Sequence, residues 1–219
     1  MSIGKAILAT LIYMLVGETI GLWSLIPAYF ENLEVLKFYH FVNSLLLMIV
    51  VYFFVRKHRL KDQPLPQPTP AYWYGIAILT GVAFVFLQYP LIKLFNVLVN
   101  QPITQSSFFS FSLEKFKHPA IIGTILFTPI AEELFFREYQ QKWLHQRYSV
   151  ALVITINAFI FACIHLPYVN WIFGSPGDWG RQTYIVFFGA ILQGIIYYKS
   201  KSVGPTITMH IAWNITANF

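Results

Sequence analysis

The stretch Ala131-Glu132-Glu133-Leu134-Phe135-Phe136-Arg137-Glu138 decides how the chain folds, because it continues the apolar run Ile121 to Ile130 without a break. An ionisable side chain near the centre of a bilayer costs roughly 2.5–3.5 kcal/mol on insertion scales. Three carboxylates and a guanidinium at the end of such a run therefore mean either that the run is not in a membrane or that its charges face a polar interior. Composition decides between the two. The 219 residues are 57% hydrophobic and 11% charged, with a mean hydropathy of +0.58, against about 45–50% apolar and about 25% charged for soluble domains. Fifteen Lys and Arg with nine Asp and Glu cannot clothe a water-soluble domain of this length. A bilayer is the solvent, and the charges are expected to point into a helical bundle.

Working outward, apolar stretches bounded by charge predict an all-α integral membrane protein, a bundle of about seven transmembrane helices around a polar intramembrane cavity. The spans fall near 6–27, 38–55, 72–95, 119–141, 149–166, 182–198 and 203–219. Residues 1–63 form an N-terminal two-helix piece. Residues 64–70, containing Pro64, Pro66, Pro68 and Pro70, form an extended linker. Residues 71–117 hold the third span and a segment suited to the membrane interface, carrying Phe108, Phe109, Phe111 and Phe116 among polar residues. Residues 118–219 hold the polar clusters. The first run is too long and too interrupted, by Gly17, Glu18 and Gly21, for a cleaved signal, so it is expected to be retained.

With the N-terminus inside, Lys5, Arg56, Lys57, Arg59, Lys61, Lys142, Arg147, Lys199 and Lys201 fall in cytoplasmic segments, and only Lys37, Lys115, Lys117 and Arg181 in outer loops. This asymmetry predicts a multi-pass protein of the plasma membrane with its N-terminus inside. The same spread of positive residues argues against a nucleic-acid partner and leaves the lipid bilayer as the first partner. Cys163 is the single cysteine, which removes a disulfide framework and a cysteine-built zinc site.

Three polar clusters lie on apolar spans: Glu132 to Glu138, Phe161 to His165, and His210 to Asn214. At about 100° per residue, Glu133 and Arg137 share a helix face in the favourable order for an ion pair, whereas Glu132 points roughly 140° away. Glu132 is thus the freer carboxylate. An acid set beside a second acid among apolar side chains suits a general base working near neutrality. The plainer reading, a structural network of Glu132, Glu133 and Arg137 between helices, stays open on these residues alone. His210 and Asn214 are four apart and can face one cavity, and buried histidine, amide and carboxylate groups offer one another hydrogen-bond partners. Counting residues from the inner loops sets these groups at different depths, with the site expected to open toward the cytoplasmic half.

Written as motifs, the clusters are E-E-x-x-x-R (Glu132, Glu133, Arg137), F-x-x-x-H (Phe161, His165) and H-x-x-x-N (His210, Asn214), the last preceded by Ser202-Val203-Gly204-Pro205. In this order, over His118 to Phe219, the chain resembles the CPBP family of intramembrane proteases, which contains the type II CAAX prenyl endopeptidases and bacterial Abi-type membrane proteins. The resemblance implies an endopeptidase of the glutamic or metal-assisted type, acting on a membrane peptide or lipid-anchored protein. It implies that Glu132 activates water, that His165 assists, and that His210 and Asn214 serve the oxyanion, with Glu133 and Arg137 completing the site. No cofactor is expected to be required, although Zn²⁺ held by His165, His210 and Glu132 is the alternative.

Rival chemistries have less support in the sequence. No H-E-x-x-H occurs, and Asp62 and Asp178 both fall in loops. Ser175, in Gly174-Ser175-Pro176-Gly177, belongs to a turn rather than a nucleophile site. A non-catalytic membrane immunity or binding protein of the same family is the alternative function. A proton-coupled transporter is disfavoured by the lack of internal repeats. Glu18 is either a partner for Arg137 or a local hydrogen-bonding group, Cys163 a packing residue, and Trp23, Trp73, Trp143 and Trp179 interface anchors.

Overall fold

A computed structural model describes residues 1–25, 35, 38–58, 68–100, 116, 118–168 and 180–218, and every predicted span is a helix within it. These are α1 (Ile3–Gly21), α2 (Tyr39–Lys57), α3 (Tyr72–Leu98), α4 (Pro119–Leu144), α5 (Val150–Cys163), α6 (Arg181–Ser200) and α7 (Val203–Asn218). The chain is an all-helical membrane bundle. Helices α2, α3 and α4, and α1 with its 3₁₀ extension to Ser24, are long and apolar enough to cross a bilayer. The linker is described only at 68–70, and the interfacial segment only at 116 and 118; Ser175, Asp178 and Trp179 lie outside the described residues.

Local signals explain several ends. Ser2 caps α1, its hydroxyl accepting from the Lys5 N–H at 3.3 Å. His118 caps α4, its Nδ1 accepting from the Ala120 N–H at 3.2 Å, with Pro119 in the first turn where no N–H is needed. Gly180, at φ 83°, supplies the left-handed residue before α6. Trp23, Trp73 and Trp143 stand at or near helix ends, as interface anchors should.

Helix α4 is continuous but not uniform. Gly123–Phe127 and Leu134–Gln141 are π-helical, flanking the α-helical turn Thr128–Glu133. Such wide turns occur mostly at functional sites. Here they bracket the two adjacent glutamates.

Packing follows the small residues. Helix α7 lies along α3, and α6 along α5. Gly81 permits the first contact, since a Cβ there would fall 2.5 Å from the Met209 carbonyl oxygen. Gly189 on α6 makes room for Trp213, whose ring would stand 2.6 Å from an added Cβ. Leu8, Leu11, Ile12 and Leu15 on α1 are exposed on the outside of the bundle, where lipid would cover them.

Contacts between ends define two faces of the bundle. Met1, with its amino group donating to the Trp143 carbonyl at 3.1 Å, belongs with His58 beside Tyr139, His145 beside Tyr198, and Gly204 beside Tyr74. At the opposite end, Trp23 donates to Asn43 at 2.6 Å, Phe95 meets Tyr184, and Asn214 meets Thr124.

Candidate active site

Glu132 and Glu133 are consecutive on α4 yet enter different surroundings. Glu133 is fully buried, 3.2 Å from Arg137 Nε, in the i, i+4 pair expected from helical spacing. Arg137 is also fully buried and uses the rest of its fork on two amides. Its Nη1 donates to Asn157 Oδ1 at 2.7 Å and its Nη2 to Gln193 Oε1 at 2.8 Å. The guanidinium carbon lies 5.0 Å above the Phe161 ring. A buried charge needs partners: amides from α5 and α6 satisfy Nη1 and Nη2, while Nε and Glu133 Oε2 meet as an ion pair without hydrogen-bond geometry. The network continues as Asn157 donates to Gln140 Oε1, and Gln140 to Thr10 on α1 at 2.7 Å.

Glu132 instead faces a cavity of about 530 Å³ lined also by Gln88, Thr128, Phe161, His165, Trp213 and Asn214. The volume falls within the range of roughly 300–1,000 Å³ usual for ligand sites. His210 joins the two surroundings. Its Nδ1 is 3.1 Å from Glu133 Oε1 and its Nε2 is 3.7 Å from Glu132 Oε2. Its ring stacks on Trp213 and meets the Phe161 ring edge-on. A carboxylate paired with Arg137 can only accept, so the His210 Nδ1–H donates to Glu133 and Nε2 is the nitrogen left toward Glu132.

His165 lies past the end of α5, with Nδ1 3.2 Å from the Phe161 carbonyl oxygen. That oxygen is an acceptor, so Nδ1 carries the proton and Nε2 is the bare nitrogen of the neutral ring. Both histidines thus have one ring nitrogen fixed by an acceptor. Asn214 donates from Nδ2 to the Thr124 carbonyl at 2.9 Å. The carbonyl is available because the Thr128 N–H goes to Gly123 in the π-turn, while the next residue, Pro129, has no N–H.

The structure brings Glu132, His165, His210 and Asn214 to one cavity and sets Glu133 and Arg137 in the packed network behind it. Glu18 is exposed, and Arg137 has Glu133, Asn157 and Gln193 as partners instead. Gln88, Ile92, Thr124, Arg181, Gln182 and Ala217 set the cavity at the end of the bundle away from Met1. Helix α5 is short: its 14 residues rise about 21 Å at ~1.5 Å each, too little to cross a core of about 30 Å. His165 therefore ends α5 while still inside the bundle.

Asn157, Gln193, Gln140 and Gln88 were not singled out in the sequence. The available signal was an amide in an otherwise apolar helix, which needs a partner but does not name one. Gln88 is the sharpest case, because its buried Nε2 lines the cavity with no hydrogen-bond partner among the described residues.

Glu132, His165 and His210, the expected ligands of a metal-assisted site, line this one cavity, but among the described residues no three His, Cys, Asp or Glu side chains are gathered closely enough to hold a metal ion.

Residues 114–216 match the family model described as Type II CAAX prenyl endopeptidase Rce1-like. No curated protein and no solved structure matches the chain. The matched segment contains Glu132, Glu133, Arg137, His165, His210 and Asn214, whereas Gln88 and Ile92 reach the same cavity from α3 outside it. This C-terminal segment, which carries the three polar clusters on a helical membrane bundle, is thus similar to the type II CAAX prenyl endopeptidases of the Rce1-like family.

Proposed function

We propose that the protein is an intramembrane endopeptidase in which Glu132 activates water to cut a membrane-associated peptide or protein terminus. The observation that supports this most is the separation of the two glutamates: Glu133 is committed to Arg137 and His210, and Glu132 faces a cavity shared with two histidines and an asparagine. In the step, a water oxygen bonds to the carbonyl carbon of the substrate as its proton passes to the Glu132 carboxylate. The C–N bond then breaks, and the departing amine takes a proton from Glu132, leaving one new carboxylate and one new amine. His165 assists through Nε2. The amide hydrogen of Asn214 not used on Thr124, and His210 when its Nε2 carries a proton in addition to the Nδ1–H on Glu133, stabilise the oxyanion, a contribution worth about 2.7–4 kcal/mol for a donor in a dry site.

The reading needs no metal. Activity is expected to survive chelation in protein with substoichiometric metal. Full loss on chelation, restored by Zn²⁺ and dependent on both His165 and His210, would replace it with a metal-assisted mechanism.

The substrate enters extended, since helices that enclose a cavity of this size exclude a folded chain. A prenylated cysteine is not required in this reading, because residues 1–100 carry no recognisable prenyl-binding motif. The membrane is the plasma membrane, with the N-terminus inside. The test is cleavage of matched peptides in liposomes by wild type and by Glu132→Gln. The peptides carry a farnesyl cysteine, a plain apolar segment, or neither. Wild type is expected to cut the apolar peptide, and Glu132→Gln to cut none. Cleavage of the farnesylated peptide alone would make prenylated termini the substrate. Binding without cleavage by wild type would favour the non-catalytic immunity or binding protein.

A further inference from the structure

Helix α1 lies outside the segment that carries the family match, yet one of its faces reaches the charge network behind the cavity. Ala6, Thr10 and Tyr13 stand at i, i+4 and i+7, and all three are buried. Tyr13 stacks on Phe135 and meets Phe136 edge-on, which seats α1 against α4. Beside that seat, Gln140 Nε2 donates to the Ala6 carbonyl at 3.0 Å and to Thr10 Oγ1 at 2.7 Å. The Thr10 hydroxyl donates in turn to the Ala6 carbonyl at 3.0 Å, so its oxygen is left to accept from Gln140.

A backbone carbonyl can only accept, so the Ala6 oxygen decides which end of the Gln140 amide faces α1. The nitrogen takes that side, and Oε1 is turned to Asn157, whose Nδ2 donates to it at 3.3 Å. Asn157 must then present Oδ1 to Arg137, the arrangement that Nη1 can use. Reversing either amide would set acceptor against acceptor, or donor against donor, in a dry site. The other amide on Arg137 has no such backing: Gln193 Oε1 accepts from Nη2, but its buried Nε2 has no hydrogen-bond partner among the described residues. We propose that Gln140, anchored on Ala6 and Thr10, is a positioning residue through which α1 orients Asn157, Arg137 and Glu133, and so fixes the tautomer in which His210 turns Nε2 toward Glu132. The last links are the 3.2 Å ion pair between Arg137 and Glu133 and the His210 Nδ1–H on Glu133 at 3.1 Å. Thr10, Gln140 and Asn157 do not line the cavity, so they act on the chemistry through His210. The catalytic consequence rests on the proteolytic reading above; the orientation of His210 does not.

The experiment compares full-length wild type, Gln140→Met, Thr10→Val and Thr10→Ser on the plain apolar peptide in liposomes. In parallel, ¹⁵N NMR of protein labelled at histidine reads the ring tautomers in detergent, with the His210 signals assigned by their loss in His210→Gln. Gln140→Met keeps the side-chain length and removes the amide. Its kcat is expected to fall about tenfold or more with KM within about twofold, as a small misplacement from a distant change can do. The Nδ1–H signature of His210 should give way to a mixture of tautomers. Thr10→Val removes one acceptor from Gln140 at nearly constant shape, so a loss in kcat of about two- to tenfold is expected, with Thr10→Ser, which keeps the hydroxyl, within about twofold of wild type. An unchanged His210 signature in Gln140→Met overturns the proposal, as does an unchanged kcat or a rise in KM in its place. Where Gln140→Met does not accumulate as folded protein, Thr10→Val decides: kcat and His210 signature equal to those of Thr10→Ser overturn the proposal, and a loss that Thr10→Ser restores supports it. No cleavage by wild type, with the His210 signature still moved by Gln140→Met, would overturn the proteolytic reading and leave the positioning standing.

Discussion

Two carboxylates one residue apart on α4 meet opposite fates. The side of the bundle that receives Glu133 is sealed: Arg137, Asn157, Gln193, Gln140 and Phe161 fill it and leave no exposed surface on the ion pair. The side that receives Glu132 is hollow and bordered by imidazole and amide groups. Phe161 divides them, with the guanidinium over its face and the His165 and His210 rings near its edge. The difference teaches that a sealed charge network can serve as the floor of a reactive one. His210 touches both, through Nδ1 on Glu133 and Nε2 toward Glu132.

If this division is right, changes on the two sides fail in different ways. The largest effect is expected from Glu132→Gln. Loss of a general base costs typically 10²–10⁴-fold, so cleavage should vanish while yield and monodispersity in detergent match wild type. A drop in yield equal to that of an Arg137 variant would merge the two sides and sink the distinction. Next comes Arg137→Ala, which leaves Glu133 buried without its cation, at a cost of about 3–5 kcal/mol. Membrane abundance should fall with activity. Arg137→Lys should rescue little, because an ammonium cannot reproduce three nitrogens aimed at Glu133, Asn157 and Gln193. Abundance of either variant at the wild-type level would show that the sealed side does not hold the bundle.

A smaller loss is expected from Asn157→Leu, which removes one acceptor from Arg137 and one donor from Gln140. A hydrogen bond to a charged group is worth about 1.5–3 kcal/mol, and Gln193 and Glu133 remain. The apparent Tm in detergent should drop, with KM unchanged in the protein that stays folded. A changed KM with an unchanged Tm would move Asn157 from the sealed side to the cavity.

The sequence made one side of this division more legible than the other. All seven helices were legible because long apolar runs bounded by Lys, Arg, Pro and Gly allow few other readings; expected and observed ends differ by three residues or fewer, except at the end of α1, which stops at Gly21 against an expected 27. The Glu133–Arg137 pair was legible from i, i+4 spacing alone, since the π-turn that carries Arg137 still leaves the two within 3.2 Å. What stayed hidden was everything that depends on which helices meet. Asn157 and Gln193 are single amides in apolar helices, and spacing along one helix cannot reveal a partner on another. The Asn214–Thr124 bond needed the π-turn as well, of which Pro129 was the only trace. The relative depth of His165 and Glu132 was also hidden, because the fifth span, read as 149–166, is a helix only over Val150–Cys163.

Gln88 tests how far the hollow side extends beyond the segment that carries the family resemblance. It comes from α3, and its buried Nε2 has no partner among the described residues while lining the same cavity as Glu132. An unpaired buried amide is costly, and a substrate backbone carbonyl entering the cavity is an acceptor that would satisfy it. Gln88→Met keeps the length of the side chain and removes both hydrogen-bonding atoms. One neutral hydrogen bond is worth about 0.5–1.5 kcal/mol, so KM is expected to rise about two- to tenfold, with kcat within about twofold and Tm equal or higher, since a buried donor has been relieved. A kcat loss at unchanged KM would instead make Gln88 part of the oxyanion surroundings, and no change in either would confine substrate contact to the helices after α3.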